Sequence, residues 1–294
     1  EDDLCVSPSF YKFAKQAISY YKYDERIAGI SLYSYRINEF ANMRPFIPMQ
    51  DDSDVYFIKT PSSWGQVWTS HQWACFKLWY DSNQGCLDKY TDAVPEKVLG
   101  WNDSSWKKYF AVYLSLINKY FVYPRVGFST NMGSRGTHNL VNNNAYQSIL
   151  NGIMFERDFF FKELDDSSCV YDSFMENEKL EYFFENCITD YYGLKKINKC
   201  ECKLISTNKL DFAVLKSWDL SLVPYELNIL QDIDGNGIYL YDLSQKIRNR
   251  HNLSLLKLIK YEIPTLTKEK AGLVFFFDYM IAAKKRLKKI FRFK

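Results

Sequence analysis

Three consecutive carboxylates, Glu1-Asp2-Asp3, stand directly before the apolar stretch Leu4-Cys5-Val6. Such a run is either a solvated surface feature or the oxygen-ligand half of a site for a hard divalent cation. The next thirty residues narrow the fold. Ser7-Pro8 is a helix start, with Ser7 placed as N-cap and Pro8 at the first helical position. Phe10 to Tyr21 carries the spacing of an aromatic amphipathic helix, and Asp24-Glu25 closes it. Ile27 to Tyr35 is rich in β-branched and aromatic residues and is predicted to be a buried strand. Acids, helix and buried strand in that order predict an α/β chain.

The rest of the first half continues that alternation. A long loop is predicted over residues 36–62, interrupted by a short strand at Val55 to Lys59. Helices are predicted at Trp68 to Tyr80 and at Trp106 to Tyr120, the second from the spacing of Phe110, Tyr113, Leu114 and Ile117. A strand is predicted around Pro124, over Val122 to Phe128, and a loop over the Asn- and Gly-dense Ser129 to Asn144. Beyond residue 150 shorter aromatic stretches alternate with polar breaks. There Leu227 to Gln231 and Ile238 to Tyr241 read as a β-hairpin turned by Asp234-Gly235-Asn236-Gly237. The predicted division is 1–148, a mixed α+β extension over 149–265, and a basic amphipathic helix over 266–294.

Composition sets the class. Of 294 residues 47% are hydrophobic and 25% charged, which is enough for a large core and excludes wholesale disorder. The 22 Phe, 23 Tyr and 7 Trp suit a site that stacks flat rings on sugar C–H faces, and equally an aromatic core. The net charge of +3 belongs to the last eleven residues, which hold seven Lys and Arg and no acid; the remaining body carries −4. An acidic body excludes the nucleic-acid-binding class. Seven cysteines at irregular spacing fit neither a disulfide framework nor a zinc knuckle, and point to a reducing compartment.

Two further motifs lie downstream of the acids. Trp64-Gly65-Gln66-Val67-Trp68 precedes Trp73 and Trp79, and only glycine at position 65 lets backbone approach a ligand without a Cβ in the way. Trp64 suits a site wall or a core corner, whereas Trp73 and Trp79 are expected in the core. Asn131-Met132-Gly133-Ser134-Arg135-Gly136-Thr137-His138 combines two glycines, a cation and one of only three histidines. Between these motifs Trp101-Asn102-Asp103-Ser104-Ser105-Trp106 sets an acid between tryptophans, at a position that is also a favoured helix N-cap.

Taken in order over residues 1–140, these motifs resemble nucleotide-sugar glycosyltransferases of the GT-A fold, both the bacterial family 2-like and the N-acetylglucosaminyltransferase I-like kinds. The resemblance implies the C-terminal part of a Rossmann-like GT-A domain, its nucleotide-binding half lying upstream in a longer enzyme. It implies Asp3 and His138 as ligands of Mn²⁺ or Mg²⁺, Asp2 at the ribose or bridging to the metal through water, and Glu1 in support. Trp64 and Gly65 would border donor and acceptor. Gly133 and Gly136 would turn backbone amides toward phosphate, with Arg135 adding charge. Asp103 would be the general base of an inverting transfer. The chain departs from the family at Gln66-Val67, where an aromatic and a small residue are usual.

The implied partners are a nucleotide sugar, a saccharide or lipid-linked saccharide acceptor, and an anionic membrane surface; nucleic acid is not among them. The membrane expectation rests on residues 273–294, where an apolar aromatic stretch runs into the basic terminus. Basic groups near an anionic surface contribute about 1 kcal/mol each. The expected location is the cytoplasmic face of the cell membrane, held peripherally, in surface-polysaccharide synthesis. A second reading is a non-catalytic, membrane-associated glycan-binding scaffold descended from a transferase. Asp232-Ile233-Asp234-Gly235-Asn236-Gly237 imitates the first half of a calcium loop, but Leu243 stands where that loop needs glutamate.

Overall fold

The computed structural model describes residues 4–85, 87–90, 92–133, 144–152, 157–197, 202–249 and 255–267, with 269, 270, 272, 276 and 280. It is a mixed α/β protein. In chain order the elements are β1 (Leu4–Val6), α1 (Phe10–Tyr21), β2 (Ile27–Ser31), β3 (Ile37–Asn38), β4 (Arg44–Pro45), β5 (Val55–Ile58) and β6 (Gln66–Val67). Then come α2 (Ser70–Asn83), α3 (Glu96–Leu99), α4 (Trp106–Leu116), β7 (Tyr120–Pro124), β8 (Ser129–Asn131), β9 (Val170–Tyr171) and β10 (Cys187–Thr189). The last are β11 (Lys203–Ser206), β12 (Phe212–Trp218), α5 (Tyr225–Leu230), β13 (Ile238–Lys246) and α6 (Leu255–Glu262).

The central sheet has the order β6-β2-β7-β5-β9. β2 and β7 run parallel, as do β5 and β9, while β6 and β5 are antiparallel to β2 and β7 respectively. β2, β5, β7 and β9 are buried on both sides, and side-chain alternation separates two cores. Val55, Phe57, Tyr120 and Val122 pack with Phe13, Ala17 and Tyr21 of α1. Tyr56, Ile58, Phe121 and Tyr123 pack with Phe76 of α2 and Phe110, Tyr113 and Leu114 of α4. Phe110 is fully buried among Trp68, Phe76, Tyr113 and Phe121. Emptying its place with alanine costs about 3–5 kcal/mol.

A second sheet, β10-β11-β13-β12, pairs β10 with β11 in parallel and the others antiparallel. Two compact units emerge, residues 1–251 and 252–294. The boundary predicted at 148 is therefore not a division of the fold: β9, from beyond it, completes the central sheet by pairing with β5. The second unit includes α6; most of the predicted 266–294 helix lies outside the described residues. Among the described residues no helix is long and apolar enough to cross a membrane.

Local predictions divide by their physical basis. The helix over Phe10 to Tyr21 is present with those bounds, but its N-cap is Ser9, not Ser7. Ser7 stays outside, its hydroxyl accepting from the Ser9 amide. α2 begins at Ser70 because Thr69 and Gln72 form a reciprocal capping box. The hairpin predicted at Leu227–Tyr241 is absent. Residues 225–230 form helix α5 instead, and β13 pairs with the more distant β11 and β12. Asn228 pins that helix, its amide oxygen accepting from the amides of Ser221 and Leu222. Gly235 and Gly237 serve close approach rather than turning: a Cβ at either would come 2.5 Å from Asp219 or Leu220.

Candidate functional site

β1 begins with the residue that comes after the acidic triplet. It pairs antiparallel with β8, Leu4 opposite Asn131, Cys5 opposite Thr130 and Val6 opposite Ser129. The first residue of the glycine–histidine motif is thus in register with the residue after the acids. Asn131 is 6% exposed, and its amide oxygen has no hydrogen-bond partner among the described residues. Gly133 is buried with φ +63°, a left-handed conformation that glycine adopts without strain. Glu1, Asp2, Asp3, Arg135, Gly136 and His138 lie outside the described residues. Among the described residues no three His, Cys, Asp or Glu are grouped to hold a metal ion.

The tryptophan motif joins the other side of β8. The Ser129 hydroxyl donates to the Trp64 carbonyl at 2.7 Å, and the Leu32 amide donates to the Gly65 carbonyl at 2.7 Å. Gly65 has φ +85°, and a Cβ there would lie 2.7 Å from Ser129 Oγ and 3.1 Å from Leu32 Cβ. Glycine is required at position 65 by both backbone and space. The chain it contacts is the strand exit of β2 and the start of β8, within the protein; a ligand was the sequence expectation.

Trp64 stands in an aromatic corner. Tyr33 meets it edge-on at 4.8 Å and Tyr146 tilts against it at 5.5 Å, while the Tyr33 hydroxyl donates to the Tyr146 carbonyl at 2.8 Å. Burial raises the Tyr33 pKa far above its ordinary value, so the phenol stays neutral. Lys107 lies over Trp64 at 5.8 Å and over Trp101 at 4.8 Å. Its ammonium also bonds Glu39 at 3.4 Å, and both side chains are nearly enclosed, at 15% and 10% exposure. A cation shared by two indole faces and one buried carboxylate links the tryptophan motif to the Trp101–Asp103 corner.

Asp103 is not the N-cap of α4; Ser105 is. The Asp103 carboxylate is 85% exposed and takes a 2.6 Å hydrogen bond from Lys108, whose ammonium also donates to the Trp101 carbonyl at 3.0 Å. Trp73, expected in the core, is 42% exposed and packs on Trp68 and Phe76. Trp79 is half-buried against Tyr113.

The structure therefore brings Trp64, Gly65, the start of the glycine–histidine motif and the Trp101–Asp103 corner into one neighbourhood. Sequence reasoning missed Glu39, Lys107, Lys108, Tyr33 and Tyr146. One signal was available for the lysines. Two cations in the first turn of α4 oppose the helix dipole, and need partners to be held there. No protein-family model matches the chain, and no curated protein matches it.

Proposed function

We propose that this chain carries the metal- and acceptor-binding half of a GT-A glycosyltransferase. It moves a sugar from a nucleotide-sugar donor to a saccharide or lipid-linked acceptor. The observation that supports this reading most is the juxtaposition of β1, the tryptophan motif and Asn131 at β8. Among the described residues, the strand that leads from the acids, the tryptophan motif and the first residue of the glycine–histidine motif lie around β8. β1 leads away from the acids beside Asn131, Ser129 holds Trp64, and Lys107 ties Trp64 to the Asp103 corner.

A hard cation takes oxygen ligands, and the Asn131 amide oxygen, without a partner among the described residues, is of that kind. Asp3 and His138 remain the proposed protein ligands of Mn²⁺ or Mg²⁺. When bound, the metal offsets charge developing on the departing diphosphate. Asp103, exposed and close to the indole wall, takes the proton of the acceptor hydroxyl. Lys108 keeps its carboxylate turned toward Trp101, and Lys107 fixes Trp64 and Trp101 relative to one another. The scheme inverts the anomeric centre by single displacement. The proposed setting is the cytoplasmic membrane face, with the basic terminus at the anionic surface.

The test is nucleotide release from a panel of nucleotide sugars by the full-length protein, with Mn²⁺ or with EDTA, with and without saccharide acceptors. Metal-dependent release of one nucleotide is the expected result. No release, together with no Mn²⁺-dependent nucleotide binding, would replace the enzyme with the glycan-binding scaffold.

A further inference from the structure

Four carboxyl groups face one ammonium where the central sheet gives way to the second. Asp172 and Glu176 lie in the turn that comes after β9, which a bridge between Tyr171 and Asn177 closes. Asp190 and the ammonium, Lys195, lie in the chain that comes after β10. Glu181, in the 3₁₀ turn Glu178–Phe183, bears on the same lysine.

These acids are not equally provided for. Asp172 accepts from the amides of Phe174 and Glu176 at 2.8 and 2.9 Å, and pairs with the Lys195 ammonium at 2.6 Å. Asp190 accepts from the Leu194 amide at 2.9 Å. Glu176 is 1% exposed. One of its carboxyl oxygens accepts from the Tyr192 amide at 3.3 Å, and the other has no partner among the described residues. A buried carboxylate oxygen with neither water nor a donor is costly, so the negative charge belongs on Asp172 and a proton on Glu176. Burial is the largest effect on Glu176 and raises its pKa well above the usual carboxylate range. Asp190 and Asp172 add to the rise, while Lys195 and the Tyr192 amide oppose it. Tyr191 and Tyr192 also feel its charge, and desolvation keeps both phenols neutral.

We propose that Glu176 is a proton-operated latch between the turn after β9 and the chain after β10. Neutral, it leaves Lys195 to Asp172 and Asp190, and the Tyr192 amide stays docked on its carboxyl group. Ionised, it adds a buried negative charge that Lys195 does not offset, and residues 190–195 part from residues 172–177 so that water reaches it. The latch is closed below about pH 4.5, the ordinary value for glutamate, and opens as pH rises through the raised value of the folded state. It is independent of the proposed transferase reading.

The experiment is hydrogen exchange of the full chain, read by mass spectrometry and corrected for the intrinsic pH dependence of exchange. Glu226, also buried, bears on the same two tyrosines, so the chain carries Glu226→Gln to remove that titration. Peptides covering 172–177 and 190–195 are expected to lose protection about tenfold or more between about pH 5 and about pH 9, and those of β7 to lose less. Adding Glu176→Gln, which cannot ionise, is expected to hold the protection of both segments constant to within about twofold. Constant protection in the Glu226→Gln protein, an equal loss in β7, or a loss that Glu176→Gln leaves in place would overturn the inference. The first two comparisons need no substitution at Glu176, so they decide the matter even where that variant does not fold.

Discussion

Glu226 offers the sharpest test of how this fold handles charge. It is 5% exposed, in the first turn of α5, where a helix N-terminus favours a carboxylate. Burial is the larger effect and raises its pKa from the usual 4.5 to about 7, against a smaller opposing contribution from its own backbone amide. Tyr171 and Tyr191, both buried, and the half-buried Tyr192 are the titratable groups that feel its charge. Because the folded state holds the proton more tightly than the unfolded chain, the contribution is fully present below pH 4.5. It is lost as pH rises through about 7. The loss is about 3 kcal/mol at about 1.4 kcal/mol per pKa unit. Glu226→Gln keeps the shape and removes the ionisation. Urea unfolding of the two proteins should give similar stabilities near pH 4.5. By pH 8 the variant should be more stable by about 3 kcal/mol, on the order of 6–12 °C in Tm. A difference that stays constant across pH would show that Glu226 ionises freely and would refute the burial argument.

Asp3→Ala and His138→Ala in the full-length protein are each expected to abolish metal-dependent nucleotide release. Wild-type turnover in either removes that residue from the site. Gly65→Ala should destabilise by roughly 1–3 kcal/mol, because φ +85° and the 2.7 Å approach to Ser129 both resist a methyl group; thermal unfolding reads it. Arg125 and Asp51 form a nearly enclosed ion pair. Burial raises the Asp51 pKa, but Ser53, Ser167 and Arg125 together hold it at about 2. The sign is opposite to that of Glu226: this stability is present above about pH 4 and is lost as pH falls through about 2. Arg125→Met leaves the Asp51 charge buried and should cost about 3–5 kcal/mol in a urea titration at pH 7.

How much was legible beforehand depended on the range of the interaction. α1 has its predicted bounds because its apolar spacing is local, and β5 was found within a long loop from its four apolar residues, Val55 to Ile58. The Asp234–Gly237 segment misled, since glycine spacing does not distinguish a turn from a close approach to Asp219 and Leu220. Asp103 was expected as a helix cap, but the cap is Ser105 and the Asp103 carboxylate accepts from Lys108 instead.

The sequence by itself determined the alternation of helix and strand and the aromatic makeup of two cores. Those properties reside in periodicity and residue type. Tertiary structure alone decided that β9 completes the central sheet from across residue 148. It alone decided that Ser129 would hold Trp64, and that Lys107 would share its charge among Trp64, Trp101 and Glu39. Most of these contacts join segments tens of residues apart. Their partners are selected by sheet register and by the need to pair a buried charge, and neither is written in local sequence.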